Sequence, residues 1–318
     1  MVSRQTGVAL ISVLLIVAIL LAVVGRLMSN HGLSISQTRN VFEQNQALQF
    51  ALGAETMARQ ALFEDFSGGG GEIDHMGELW AQQVLPFELD EGGFIEAQLT
   101  DLHGCFNLNN VLGLEGENNL NRFKRLLVNL NIPQEIADTW KDWIDEDLVV
   151  SGFGAEDSEY LIGSIPYRTP NQRIMHISEL ALLRNVDRTT LAQILPFVCL
   201  LPEEDTKVNV NTANLHTLGS LHGSLSPDQV ESVVNSPREF ASVAEFVEAY
   251  PGFIPVTSAL SVASKYFRLH AYVQVGTSSL TLQSILRRDP ASGEVTVLSR
   301  DFGKLFKSAV EVTTEEAS

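Results

Sequence analysis

The chain has few basic residues, few cysteines and none of the common hydrolase signatures. Lys and Arg number 21 against 39 Asp and Glu, a formal charge of −18. A surface that acidic repels phosphate backbones, which excludes nucleic acid as a partner and favours divalent cations or basic partners. The 7 histidines do not cluster, and neither His-Glu-x-x-His nor Gly-x-Ser-x-Gly occurs. No catalytic residue is assigned, and carboxylate pairs alone do not make one, since ion sites use the same groups. Gly68 to Gly71 are consecutive glycines. No Gly-Lys-Ser/Thr follows them and no strand precedes them, so they read as a flexible connector and not as a phosphate cradle. The cysteines are Cys105 and Cys199. In an oxidising compartment they are candidates for one disulfide; the competing reading is two buried thiols acting as small apolar groups.

Charge is missing altogether from one long stretch. From Val8 to Val24 every residue is apolar except Ser12, and Gly25-Arg26 close the run. A spanning helix needs about 20 mostly apolar residues, and a buried core helix would show a polar face. A cleaved secretory signal would need a shorter apolar core and a small-x-small exit, which Val24-Gly25-Arg26 does not supply. An uncleaved anchor accounts for the run but not for the abrupt Gly7-Val8 junction. A third reading is a leader cut on the cytoplasmic side after Gly7, with the run retained as the start of a long helix. Arg4 and the starting amine precede the span, and the positive-inside tendency places them in the cytoplasm. The bulk of the chain then lies outside the inner membrane.

A length of 318 residues suggests two folded units. Between Ser29 and Phe66 there is no Pro, and Val41, Leu48, Ala51, Ala58 and Leu62 recur at about 3.5 residues, flanked by Phe50, Ala54, Met57 and Ala61. The pattern predicts one nearly continuous helix from Val8 to about Phe66, the second part carrying an apolar stripe. Phe94 to Leu102 alternates as a strand does, and Phe106 to Asn110 offers a second, short one. Leu120, Phe123, Leu126, Leu127 and Leu130 have helical spacing, and Pro133 opens another helix with Ile136, Trp140, Trp143 and Ile144 on one face. Short helical patterns punctuated by Pro and Gly continue to Tyr250. Strand signals return at Tyr266–Val275, Ser279–Arg287 and Val295–Arg300, joined by turns into an antiparallel meander. Neither the early strand nor the late meander has enough neighbours to be stable alone. The economical fold is α+β: one antiparallel sheet packed on the long helix, with a large all-helical unit inserted between strands.

The acidic segment 145–171 is the best chemical site. Asp145 and Asp147 lie two apart, Glu156 and Asp157 are adjacent, and Asn171 and Glu179 follow. Calcium takes six to eight oxygens from carboxylates, amides and carbonyls, and Gly152 and Gly154 let a loop fold back. No EF-hand spacing is present, and a solvated acidic loop is the competing reading. Asn209-Val210-Asn211-Thr212-Ala213 is like the start of a helix-hairpin-helix, but the nearby charge is acidic, so a structural role is favoured over DNA contact. On these residues alone, an inner-membrane-anchored periplasmic enzyme or binding protein with an acidic metal site stands as one reading.

Gly7-Val8-Ala9-Leu10-Ile11 before a long apolar helix resembles the type IV prepilin junction. The resemblance extends to one family through Asp90-Glu91-Gly92-Gly93, Asp101-Leu102, Phe106-Asn107-Leu108-Asn109, Trp143-Ile144-Asp145-Glu146-Asp147 and Gly154-Ala155-Glu156-Asp157. It continues in Tyr160, Pro166-Tyr167, Asn171, Ser178-Glu179-Leu180 and Asn209-Val210-Asn211-Thr212-Ala213. Over most of residues 1 to 303 the chain resembles the K class of minor pseudopilins of type II secretion systems. The resemblance implies a place at the tip of the pseudopilus, in protein export across the outer membrane. It also implies cutting by prepilin peptidase between Gly7 and Val8 with N-methylation, and minor pseudopilins of the I and J classes, then the major pseudopilin, as partners. A structural Ca²⁺ in the Asp145–Glu179 region is implied as well. Ordinary pilins carry Glu five residues after the cut, where it pairs with the amine of a neighbouring subunit; here that position is Ser12, as suits a subunit with no neighbour ahead. The expected division is a leader over 1–7, the transmembrane part of the helix over 8–28, and a pilin-like α/β domain over 29–110 and 264–303. An inserted helical domain covers 111–263, and a disordered tail covers 304–318.

Overall fold

The computed structural model describes residues 6–82, 86–89, 92–162 and 165–303. The 304–318 tail and most of the 1–7 leader lie outside them. Helix α1 (Thr6–Ser67) runs unbroken for 62 residues, roughly 93 Å at the usual rise. Its first part is the one described helix apolar and long enough to cross a membrane, with a window of mean hydropathy 2.8 that is 0% buried by the rest of the chain. Burial of its side chains against the sheet begins at Ala47. From there Ala47, Ala51, Ala54, Ala58 and Leu62 are buried, a spacing of three and four that keeps one face inward. Four of the five are alanines, so the helix axis lies close to the strands. Val41 and Met57, expected on or beside this stripe, are 57% and 75% exposed. Val41 precedes the covered stretch, and Met57 falls on the outer face.

Strand β1 (Phe87–Glu88) and strand β2 (Gly93–Asp101) start the sheet. The chain then leaves it for a long excursion. This comprises β3 (Phe106–Asn107), α2 (Gly116–Asn129), α3 (Glu135–Ile144), α4 (Asp157–Tyr160) and α5 (Arg188–Ile194). β4 (Val198–Cys199), β5 (Val208–Asn209), α6 (Leu215–Ser220), α7 (Pro227–Val234), α8 (Val243–Ala249) and β6 (Leu260–Ser261) complete it. It returns as β7 (Tyr266–Val275), β8 (Ser278–Arg288) and β9 (Val295–Asp301). The sheet order is β1-β2-β7-β8-β9, antiparallel throughout, with Gly93 opposite Val275 and Asp101 opposite Phe267. Strands β2 and β7 are therefore neighbours across the whole excursion, which is an insertion into the sheet. One face of β7 and β8 carries Phe267, Leu269, Ala271, Val273, Leu282 and Leu286 onto α1. At the β7–β8 turn Gly276 has φ +55°, and a Cβ there would press on the Glu43 carboxylate, which accepts from the Thr277 N–H at 3.1 Å.

The insertion holds two cores. One gathers Leu108, Phe123, Leu126, Leu127, Trp140, Trp143 and Ile144; the other gathers Val210, Leu218, Val233, Phe246 and Phe253. It is helical apart from two short parallel pairs, β3 with β4 and β5 with β6. Phe106-Asn107 thus does form a strand, but within the insertion and not in the main sheet. Cys105 and Cys199 are joined in a disulfide, with Cα atoms 5.9 Å apart. It ties the outgoing chain to β4 beside buried Leu102, Leu201 and Tyr266.

Candidate metal centre

Helix α3 turns its large apolar side chains inward: Trp140 and Ile144 are 0% exposed and Trp143 2%. Trp140 Nε1 donates to the Leu108 carbonyl at 3.0 Å. The helix stops at Asp145, which turns extended (φ −76°, ψ 162°). A carboxylate there meets the negative end of the helix dipole, so Asp145 is held against its electrostatic preference. The loop beyond doubles back onto the helix it has just left. The Ser151 N–H donates to both Asp142 oxygens at 3.0 and 3.2 Å, and the Phe153 N–H donates to Asp138 Oδ2 at 3.3 Å. Gly152 makes this possible: its φ is +54°, and a Cβ would stand 2.7 Å from Asp138 Oδ2. The glycines therefore close the loop on Asp138 and Asp142, two carboxylates that the sequence pattern did not single out.

The return places Glu156 beside Asp145 and Asp147, with one oxygen of each carboxylate within 4.8 Å of the others. Asn171, at φ +47°, joins from a separate strand of the loop and donates from Nδ2 to the Asp147 carbonyl at 3.3 Å. Glu156 is 3% exposed. Both its oxygens, Asp145 Oδ1 and Asn171 Oδ1 are buried without a hydrogen-bond partner. A buried acceptor left unpaired costs about 1–3 kcal/mol, more when it is charged. Burial, with the charges of Asp142, Asp145 and Asp147 added, pushes Glu156 up to about 7. Burial, then Asp147 and Asp142, pushes Asp145 up to about 6, with Lys141 opposing. A cation among these oxygens would remove the unpaired acceptors and the repulsion together. The donors are three carboxylates and an amide, with no His or Cys, which is the chemistry of a hard divalent cation and not of zinc.

The other two candidates are engaged elsewhere. Asp157 opens α4 and faces Arg168 at 3.1 Å and the Thr169 N–H at 2.9 Å. Glu179 accepts from Trp143 Nε1 at 3.3 Å. Another acidic triple, Asp65, Asp74 and Glu78, lies outside this region. Its carboxylates are already satisfied: Arg288 holds Asp65 and Asp74, and Glu78 accepts from Trp80 Nε1 and the His75 N–H. Asn209 and Asn211 are 0% exposed and spend their side chains on internal bonds, Asn211 holding Phe240 through its N–H and carbonyl. That is the structural role expected for this segment.

Comparison with known proteins points to one family. The family model described as type II secretion system (T2SS), protein K matches residues 104–203. The type II secretion system protein K of Pseudomonas aeruginosa is 35% identical over 94% of this chain and 93% of its own length. That of Pectobacterium carotovorum subsp. carotovorum is 32% identical over 95% and 97%. Among solved structures, a chain of the GspK-GspI-GspJ complex from the enterotoxigenic Escherichia coli type 2 secretion system superposes with a TM-score of 0.75. It is 27% identical, and the match covers 85% of this chain and 100% of that one. A single apolar anchoring helix, a sheet packed on its second half and a large helical insertion thus coincide with relatives of full length, and the chain belongs to the type II secretion system protein K family, the minor pseudopilins of type II secretion.

Proposed function

We propose that this minor pseudopilin caps the periplasmic end of the pseudopilus, bound to one sibling each of the I and J classes and followed by the major pseudopilin. The observation that carries this reading is where the insertion is attached. It leaves β2 at Asp101 and re-enters β7 at Tyr266, beside Asp65 and Arg288, at the opposite end of α1 from the apolar span. A bulky unit on the far end suits the one position after which no subunit follows. Ser12 in place of the pilin Glu supports the same place, since a carboxylate in lipid needs a partner ahead of it. The solved relative belongs to a complex of K, I and J proteins, which supports the choice of siblings. The domain limits proposed are 29–101 and 266–303 as the body and 102–265 as the insertion in the periplasm, a somewhat longer insertion than the 111–263 expected from the sequence, because β3 pairs with β4 and not with the main sheet. The ion proposed for Asp145, Asp147, Glu156 and Asn171 is Ca²⁺, whose preference for oxygen donors and flexible geometry suits the donor set. Prepilin peptidase is proposed to cut after Gly7.

Co-extraction of the three full-length proteins tests the tip reading. A complex with one copy of each by native mass spectrometry is expected. Self-assembly of this chain into fibres, or no binding to either sibling at micromolar concentration, would overturn it.

A further inference from the structure

The seam between the two cores of the insertion holds an open slot. Helix α2 gives Leu126 and Leu127 to one core and packs on α6. Helices α6 and α7 give Leu218, Val230 and Val233 to the other. Between α2, α6 and α7 lies a cavity of about 200 Å³. Leu225 and Val230 are apolar walls, and Asn129, His216 and Glu231 supply its polar side. Gly219 completes the lining. It sits within helix α6, where glycine is less stable than alanine. Nothing in the fold requires glycine there: a Cβ would make only ordinary contacts, 3.4 Å from Asn129 Nδ2 and 3.8 Å from Val230. What glycine does at this position is leave the slot open. His216 rests edge-on against Phe197, with 4.7 Å between ring centres. Asn129 and Glu231 are exposed, and neither side chain has a hydrogen-bond or ion-pair partner among the described residues. The bases of α2 near the slot are spent elsewhere. Arg125, one turn before Asn129, donates to the Ser220 and Leu221 carbonyls at 2.7 and 3.0 Å, and Lys124 pairs with Asp138 at 2.6 Å.

We propose that this slot receives one lysine or arginine side chain of a partner protein, the stem lying between Leu225 and Val230 and the charged head meeting Glu231. Size points to a single side chain: pockets for drug-sized molecules measure about 300–1,000 Å³, more than this one offers. The lining then selects the side chain. Lysine and arginine bury an apolar stem while the head stays at the wet rim, which matches apolar walls beside an exposed carboxylate. The Asn129 amide oxygen is a second acceptor for the head. A carboxylate in the slot would face Glu231 at like charge. A wholly apolar side chain would take water from Glu231 and Asn129 and return no hydrogen bond. The formal charge of −18 draws basic surfaces toward the chain in general; the slot gives one such residue a defined seat. Because its walls belong to different cores, a side chain held there touches both and anchors the partner to the insertion as a unit. This contact is independent of the place at the tip and of the metal centre.

Saturation-transfer NMR on the full-length protein in detergent tests the chemistry with two probes, n-butylguanidinium and n-butyrate. Butylguanidinium should bind at millimolar concentration and butyrate should not. Glu231→Gln should weaken butylguanidinium about threefold, the order expected of an exposed ion pair. Gly219→Leu, which fills the slot, should abolish its binding. Glu231→Lys changes an exposed helical position and keeps the fold whatever becomes of Gly219→Leu; it should reverse the preference toward butyrate. A photo-cross-linking side chain at exposed Asp228, on α7 beside the slot, tests the source in cells that produce the complete secretion system. The cross-linked partner peptide should carry Lys or Arg within a few residues of the link, and Glu231→Lys should remove the link. Equal binding of the two probes, binding that survives both Gly219→Leu and Glu231→Lys, or a cross-link indifferent to Glu231→Lys would each overturn the assignment. Probe binding with no slot-dependent cross-link would mean that free amines alone enter, and would overturn a protein partner.

Discussion

Replacing Glu156 by Gln separates a metal site from a merely structural acid, because the two readings predict opposite signs. Without a cation, ionising Glu156 costs the folded state whatever raised it from an ordinary 4.5 to about 7. That shift corresponds to about 3 kcal/mol. The carboxyl is protonated in both states below pH 4.5, so the penalty is absent there; it grows through pH 4.5–7 and is complete above it. The chelated wild type should therefore lose stability as pH rises across that window, by roughly 6–12 °C in Tm at about 2–4 °C per kcal/mol for a unit of this size. Asp145 is coupled to the same charges, so its share does not add independently. Calcium reverses the balance. At a hundred times its dissociation constant it contributes about 2.7 kcal/mol by mass action. In EGTA at pH 7.5, Glu156→Gln should be more stable than wild type; in millimolar calcium it should be less stable, with little response to the ion. Differential scanning fluorimetry at pH 5, 6 and 7.5, with EGTA or calcium, measures all four arms. If Gln lowers Tm equally in both conditions, or if wild-type Tm ignores calcium, the reasoning fails.

Three further outcomes follow from other parts of the molecule. Cys105→Ala with Cys199→Ala opens a loop with a sequence separation of 94, worth about 4.7 kcal/mol by loop entropy; a fall under 1 kcal/mol in denaturant stability would mean the root is held by its other contacts. Ala51→Leu, at a position 0% exposed against Val273 and Leu282, should cost about 1–3 kcal/mol by overpacking, whereas Met57→Ala on the outer face should stay within about 0.5 kcal/mol. Intact mass of protein from cells with prepilin peptidase should begin at Val8 and carry an N-methyl group; a mature chain retaining Met1 would contradict the leader.

The parts of the fold that sequence conveyed are those where one periodicity runs long enough to be unambiguous. Helix α1, strands β2 and β7 to β9, and the insertion between them were legible, because each has a sustained pattern of 3.6 or 2 and a turn at its end. The face of α1 was less so. Small alanines bury as completely as leucine when a sheet comes close; the periodicity puts Ala51, Ala54 and Ala58 on or beside the stripe, but it misses Ala47 and includes Val41 and Met57, although both are exposed. The metal centre shows the same limit. Asp145, Asp147, Glu156 and Asn171 converge, but Asp157 and Glu179 have equal standing as acids in sequence and are diverted by Arg168, Thr169 and Trp143. Only the return of the loop decides between them. That return depends on Asp138 and Asp142, which read as ordinary polar positions of a helix and prove to be the acceptors that fold residues 151–153 back. The same ambiguity hid the buried cluster at the root of the insertion, where Asp74 meets Arg288 and Asn209 donates to the Asp74 carbonyl and to Asp101. Asp74, Asp101 and Arg288 are 214 positions apart at their widest, and no local pattern links them. Their partners, Asn209 and Thr212, were visible as a motif, but a motif of buried amides says only that something must satisfy them. Here that requirement is met by the acids that hold the insertion to the body, so a segment that resembles a nucleic-acid module in its first residues is instead the fastening of a domain.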